Sequence, residues 1–151
     1  MSQKEWGNIT WYLFHTLAEK IKEEHFESQK DNIINFIITI SNNLPCPTCT
    51  RHASETLKFA NINLIETKDD LIEFVRQFHN IVNLKLNKNL FSKSETLKQY
   101  KRAKLIQIVN NFFKIHTVTY GNFNTIISTF HRHNVIKSLH PKIIDIVKYC
   151  N

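Results

Sequence analysis

Apolar residues recur along most of this chain at spacings of three and four, with polar residues on the opposite face and short polar clusters between the series. Ile9, Leu13, Thr16, Leu17 and Ile21 form the first series and predict a helix over about 10–24, behind a polar entry. Residues 28–43 predict a second helix, with Ile33, Ile34, Ile37, Ile38 and Ile40 in its core-facing stripe and Asn42-Asn43-Leu44-Pro45 as its stop. The β-branched run in this segment also permits a strand. Polar residues at 35, 39 and 42 fit a helical back face better than strict alternation.

Pro45 and Pro47 suit the start of a helix, where a missing N–H costs nothing, so a third helix is expected to begin within 46–49 and to reach Phe59. Thr67-Lys68-Asp69-Asp70 is a capping pattern with acid in the first turn. Leu71, Phe74, Val75, Phe78, Val82 and Leu86 continue from it as the apolar face of a fourth and longest helix. Beyond Asn87-Lys88-Asn89 and Phe91, Ser94 is expected to cap a helix to about His116, and Tyr120-Gly121-Asn122 to break the chain. Two short helices are expected at about 123–137 and 141–149.

With 2 Gly and 3 Pro in 151 residues, long helices are easier to build than a sheet that needs many tight turns, and the expected class is all-α. The length suits one domain with a real core, or a small domain with a substantial extension. The first five residues carry no apolar signal-like run, and the longest apolar stretch, 33–40, is broken by Asn35 and Thr39. Neither secretion nor a membrane span is expected. Three cysteines do not make a disulfide-dense secreted scaffold. Net charge is +7 but uneven. Residues 1–91 hold 10 Lys/Arg against 11 Asp/Glu, and residues 92–151 hold 10 against only Glu95 and Asp145, hence −1 and +8.

Cys46-Pro47-Thr48-Cys49 carries the first candidate chemistry. A disulfide relay needs one exposed thiol acidic enough to ionise and a second close by to resolve the mixed disulfide, and a helix N-terminus with two-residue spacing supplies both. Cys46 is then the attacking sulfur and Cys49, one turn inward, the resolving one. Such a pair is also half of many zinc sites, and His52 extends it to Cys-x2-Cys-x2-His. A zinc-stabilised helical binding module using Cys46, Cys49 and His52 is therefore the alternative, although Cys150 and the other histidines offer no second knuckle.

His79-Asn80-Ile81-Val82-Asn83 carries the second. His79 and Asn83 stand at i and i+4 on one helix face, with Asn80 adjacent and Lys88 near the helix end. A flavin needs amide and imidazole partners at its heteroatoms, apolar contact with its rings and positive charge for its phosphates, and this helix carries all three. Trp11 and His15 repeat the pairing of aromatic and imidazole on the first helix. Taken singly, His79 and Trp11 also read as ordinary core residues.

In order, Gly7-Asn8-Ile9-Thr10-Trp11-Tyr12-Leu13-Phe14-His15, Leu44-Pro45-Cys46-Pro47-Thr48-Cys49 and the His79-to-Lys88 helix end resemble the Erv/ALR family of flavin-linked sulfhydryl oxidases, over roughly residues 5–91. The compact form resembles members encoded by large DNA viruses. The resemblance implies a four-helix bundle holding FAD, usually as a homodimer, in which the Cys pair takes electrons from client protein dithiols and passes them to FAD and on to O2, giving H2O2. Carried over, Cys49 is the flavin-proximal sulfur and Cys46 the client-facing one, and Gly7, Thr10, Trp11, His15, His79, Asn80, Val82, Asn83 and Lys88 form the cofactor site. A viral member would work in the host cytoplasm and in the virion. The second, structural Cys pair of cellular members has no counterpart between Cys49 and Cys150, and Phe91 or Tyr100 stands in for the aromatic that follows the fourth helix.

Residues 1–91 are thus expected to be the oxidase core and 92–151 a basic helical extension packed on it or on a second subunit, either as a solvated face or as a surface for an acidic macromolecular partner. Cys150 reads either as a shuttle thiol on a mobile end or as an idle one.

Overall fold

Ser2 and Glu5 start the first helix a full two turns before the apolar series predicts. In the computed structural model, which describes residues 2–117 and 123–151 (side chains from residue 129 in the second stretch), they form a capping box: Glu5 N–H donates to Ser2 Oγ at 3.2 Å and Ser2 N–H donates to Glu5 Oε2 at 2.8 Å. Helix α1 therefore spans Gln3–Lys20 rather than about 10–24, and Gly7 lies inside it. The polar entry was misleading because the first turns face partly towards an open cavity and not into a core.

The described residues form eight α-helices: α1, α2 (Phe26–Ser41), α3 (Pro47–Phe59), α4 (Lys68–Lys85), α5 (Lys93–Tyr100), α6 (Leu105–His116), α7 (Phe123–Ser138) and α8 (His140–Val147), with 3-10 turns at Glu23–His25 and Ile62–Leu64. Backbone pairing outside helices, among these residues, includes one isolated antiparallel bridge, Ile21 with Cys150. The class is all-α, as the spacing predicts. α4 is capped by Thr67 and Asp70 as expected, with Asp70 N–H donating to Thr67 Oγ1 at 3.1 Å and Thr67 N–H to Asp70 Oδ2 at 2.9 Å.

The expected helix over about 94–116 is two helices. Ser92, not Ser94, caps α5 through a second S-x-x-E box with Glu95, and the chain turns at 101–104 before α6 begins. Neither Gly nor Pro marks this break. Lys20 Nζ reaches across from α1 to donate to Lys101 O, so a tertiary contact holds it. The expected break at Tyr120-Gly121-Asn122 lies outside the described residues.

α1 packs against α4, α5 and α6, α2 against α3 and α8, and α3 against α4, which makes a bundle of the first four helices with the later ones laid along α1 and α2. Leu13, Phe14, Leu17 and Ile21 of α1 meet Ile33, Ile37 and Ile40 of α2, Leu71 and Val75 of α4, Phe112 of α6, and Ile143 and Ile146 of α8 in one apolar core. Full burial of each such side chain stabilises the fold by about 1.5–3 kcal/mol. The C-terminal half of α1 is thus core, which leaves its N-terminal half, Gln3 to Trp11, to wall a cavity.

Candidate cofactor cavity and disulfide

Pro47 at the first helical position and Cys46 at the N-cap begin α3, so the Cys pair straddles the positive end of a helix dipole. Cys46 and Cys49 are joined as a disulfide with Cα atoms 5.1 Å apart. Cys49 N–H donates to Cys46 Sγ at 3.2 Å, and Gln3 Nε2 donates to Cys49 Sγ at 3.5 Å. Both cysteines are partly exposed. They differ in what they face: Cys49 borders a cavity of about 730 Å³, and Cys46 does not.

That cavity lies between the N-terminal half of α1, the first turns of α3, the end of α4 and the start of the chain beyond it. Trp6, Gly7, Thr10 and Trp11 come from α1, Phe78, His79, Val82 and Asn83 from α4, Lys88 and Phe91 from the connection, and Gln99 and Tyr100 from α5. Its volume is within the usual range for cofactor sites. The α4 end is shaped by a Schellman turn: Lys88 N–H donates to Asn83 O at 2.8 Å, Asn87 N–H to Leu84 O at 3.3 Å, and Asn87 adopts φ 54°, a left-handed conformation Asn tolerates. The turn folds Lys88 back onto the cavity.

Aromatic rings stack in two pairs at its wall. Trp11 lies on His79, centroids 4.2 Å apart and 10° from parallel, and His15 lies on Tyr100, 4.3 Å apart and 7° from parallel. His15 Nε2 and His79 Nδ1 share a hydrogen bond of 2.9 Å, which links the pairs. Burial pushes both imidazoles down, His15 to about 3 with help from His79, and His79 to about 4 with help from Lys88. Both are neutral at pH 7, so the shared hydrogen bond has one donor and one acceptor. Burial and Tyr12 push the Tyr100 phenol up, keeping it protonated.

Of the expected site residues, Gly7, Thr10, Trp11, His79, Val82, Asn83 and Lys88 border the cavity together with Cys49. Two stand behind it. His15 is buried beneath Trp11 and Tyr100, and Asn80 spends its amide on the main chain of Phe91, donating from Nδ2 to Phe91 O at 3.0 Å and accepting Phe91 N–H at 2.9 Å. Arg76 Nη1 donates to the same carbonyl at 3.0 Å, so the connection after α4 is clamped without a disulfide. Trp6 and Gln99 also border the cavity, and no motif in the sequence singles them out. Trp6 follows from the capping box at Ser2, whereas Gln99 depends on how α5 docks, which no local pattern reveals.

Three observations bear on whether FAD fits. Asn83 is 4% exposed, and its Nδ2 is a buried donor with no hydrogen-bond partner among the described residues. A Cβ at Gly7 would meet nothing within 4 Å, so the missing side chain adds room at the wall, at a cost of up to about 1 kcal/mol of helix propensity. The lining includes Lys85 and Lys88 and no carboxylate, which suits a diphosphate. The residues present fit the cofactor. For zinc, no group of three or more His, Cys, Asp or Glu among the described residues is placed to hold a metal, and Cys46 and Cys49 are bonded to each other. The zinc reading has no structural support.

Fold and site together define a helical bundle with a disulfide on the wall of a large aromatic cavity. The chain belongs to the Erv1 / Alr family, whose pattern matches residues 8–102, through α5. It is 31% identical over 91 residues to the FAD-linked sulfhydryl oxidase ERV1 of Oryza sativa subsp. japonica, covering 60% of this chain and 46% of that protein. It is 29% identical over 99 residues to protein 096R of Invertebrate iridescent virus 3 (65% of this chain, 67% of that one), and 30% identical over 98 residues to the FAD-linked sulfhydryl oxidase of an African swine fever virus isolate (65% and 82%). The chain thus spans less than half the length of the rice relative and most of the African swine fever virus one. No solved structure matches it.

Proposed function

We propose that this protein is an FAD-dependent thiol oxidase that makes disulfides in client proteins. The observation that carries the reading is that one cysteine of the Cys46–Cys49 disulfide, and only one, borders a cavity whose lining fits FAD. In the cycle, a client thiolate attacks Cys46 Sγ. The Cys46–Cys49 bond breaks and Cys49 leaves as a thiolate in the first turn of α3, where the helix dipole favours negative charge. A second client thiolate then attacks the client sulfur of the mixed disulfide. Cys46 departs as a thiolate that the Cys49 N–H can stabilise, having held its sulfur already in the disulfide. Two client thiols become one client disulfide, and the pair holds the two electrons as a dithiol. FAD, when bound, supplies the two-electron acceptor that returns the pair to the disulfide and delivers the electrons to O2 as H2O2.

The chain's own residues give that cofactor a place. Trp11, His79 and Val82 offer ring and apolar contact, Asn83 Nδ2 a free donor, Lys88 a positive charge, and Gly7 and Thr10 the facing wall. His15 and Asn80 act at one remove, His15 by fixing the His79 ring and Asn80 by fixing Phe91. In the same proposal residues 1–91 are the oxidase core and 92–151 a basic extension on it, the protein forms a homodimer, and exposed Lys98, Lys101 and Lys104 receive an acidic partner. Among the described residues no helix is long and apolar enough to cross a membrane. In the same proposal the protein works in the cytoplasm of an infected cell and in the virion; the viral source of two relatives supports an infected cell as its setting.

An absorbance spectrum of the purified full chain tests the reading. The expected protein is yellow with one FAD per chain, released on denaturation. A colourless protein that takes up no FAD on addition of the free cofactor overturns it.

A further inference from the structure

His116 is the most deeply buried histidine of the chain, 0% exposed, and nothing in the thiol chemistry uses it. It lies in α6, beyond the family match, yet its Nε2 is 2.8 Å from Oγ1 of Thr10, a wall residue of the cavity. On the other side of the ring, Nδ1 faces Arg132 Nη1 at 3.4 Å, while Arg132 Nη2 donates to the His116 main-chain carbonyl at 2.9 Å. Arg132 is itself buried, 9% exposed, on α7. Phe112 stacks on the imidazole at 4.2 Å and Trp6, another wall residue, meets it edge-on at 6.4 Å.

These contacts have one consistent direction. A guanidinium only donates, so Nδ1 of His116 is the acceptor and Nε2 carries the proton. Burial first, then Arg132, hold the imidazole near a pKa of about 3, so it is neutral. Nε2–H donates to Thr10 Oγ1, and the Thr10 hydroxyl, 2.6 Å from Trp6 O, donates there. The chain of donors runs from Arg132 through His116 and Thr10 to Trp6. It ends astride Gly7, a helical residue with no side chain to restrict its backbone, at the place where the helix is cavity wall on one side.

We propose that His116 and Arg132 are positioning residues for the cofactor, supplied by the extension: they fix the Trp6-to-Thr10 turn of α1 and turn the Thr10 hydroxyl proton away from the cavity. The proposal rests on the flavin reading above. Packing of α6 on α1 alone would be served as well by an apolar side chain in place of a buried, neutral imidazole beside a buried cation. The polar chain instead gives the turn one orientation.

The test is FAD affinity of the full chain, measured by titrating flavin-depleted protein with FAD, alongside thermal unfolding of the flavin-depleted protein. His116→Phe keeps the ring and its stacking and removes the donor. It should weaken FAD binding about tenfold, the size of one lost buried hydrogen bond, with the unfolding midpoint held or raised. His116→Gln, whose Nε2 can restore the donor to Thr10, should bring affinity back to within about threefold of wild type. If His116→Phe does not fold, Arg132→Met, which leaves the imidazole and removes the cation, is expected to weaken FAD binding in the same direction. Unchanged affinity in a folded variant, or His116→Gln no better than His116→Phe, overturns the proposal. A wild type that takes up no FAD overturns the flavin reading, and this proposal with it; a wild type that binds while its variants bind equally well overturns this proposal alone.

Discussion

Cys46 and Cys49 stand beside the start of α1, within reach of Gln3, whereas Cys150 stands beside its end, paired through the backbone with Ile21. The 18 residues of α1 separate the two places by about 27 Å. Their environments differ in kind. The first pair opens a helix, is partly exposed, and has N–H and amide donors on its sulfurs. The Cys150 thiol donates to Ile146 O, and burial pushes it up to about 11 despite Lys68 and Lys22. Its segment is tied by Asn151 N–H to Lys20 O at 2.7 Å and Lys22 N–H to Tyr149 O at 3.0 Å. At pH 7 Cys150 is therefore held as the thiol. Of the two readings open for Cys150, the shuttle is disfavoured by reach and by ionisation alike. What makes a cysteine work is the end of the helix it sits on and the space beside it.

The largest way to break this contrast is at the pair itself. Cys46→Ser and Cys49→Ser should each lower dithiol oxidation by about a thousandfold or more, because the sulfur that the client attacks and the sulfur that leaves act as a unit. Only Cys49→Ser should trap the client on Cys46 as a mixed disulfide, seen as a shifted band under non-reducing conditions. Trapping in Cys46→Ser instead would exchange the roles.

The second contrast is between pH ranges. His15, His79 and His116 have folded-state pKa values of about 3, 4 and 3, well below the ordinary 6.5. As pH falls, the unfolded chain binds protons first. Stability is therefore full above about 6.5 and declines as pH drops towards 4, by about 2 kcal/mol per imidazole at pH 5. Denaturant midpoints between pH 7.5 and 5 check this, and a flat profile would contradict the neutral histidine walls.

How much of this was legible beforehand varies with the range of the interactions. Thr67 and Asp70, Pro47 and the spacing of His79 and Asn83 act within one or two turns, and the chain reads them out directly. The Ser2/Glu5 and Ser92/Glu95 boxes are equally local, but the apolar series around them is weak, so the pattern of apolar positions does not single them out. The break at 101–104, the stack of Tyr100 on His15 and the reach of His116 to Thr10 are set by docking of α5 and α6 on α1, and residues 85 to 106 positions apart give no periodic sign of meeting.

A smaller effect is expected at His79. His79→Ala removes the stack on Trp11 and the bond to His15, and should weaken FAD binding by about 1–3 kcal/mol while slowing turnover in step. Lost turnover at unchanged FAD affinity would point to a role in proton transfer. The smallest effect is expected at Cys150. Cys150→Ser should leave small-dithiol turnover unchanged and alter stability by less than about 1 kcal/mol, and a protein-client assay that loses activity would restore the shuttle.

The central claim is that thiol electrons reach the cavity through Cys49 and through no other sulfur. It is tested most directly by adding a small dithiol without oxygen to FAD-loaded protein and following the yellow colour. Wild type and Cys150→Ser are expected to bleach at the same rate, and Cys49→Ser to keep its colour over the same time. Rapid bleaching of Cys49→Ser, or a colour in Cys150→Ser that persists, would contradict it.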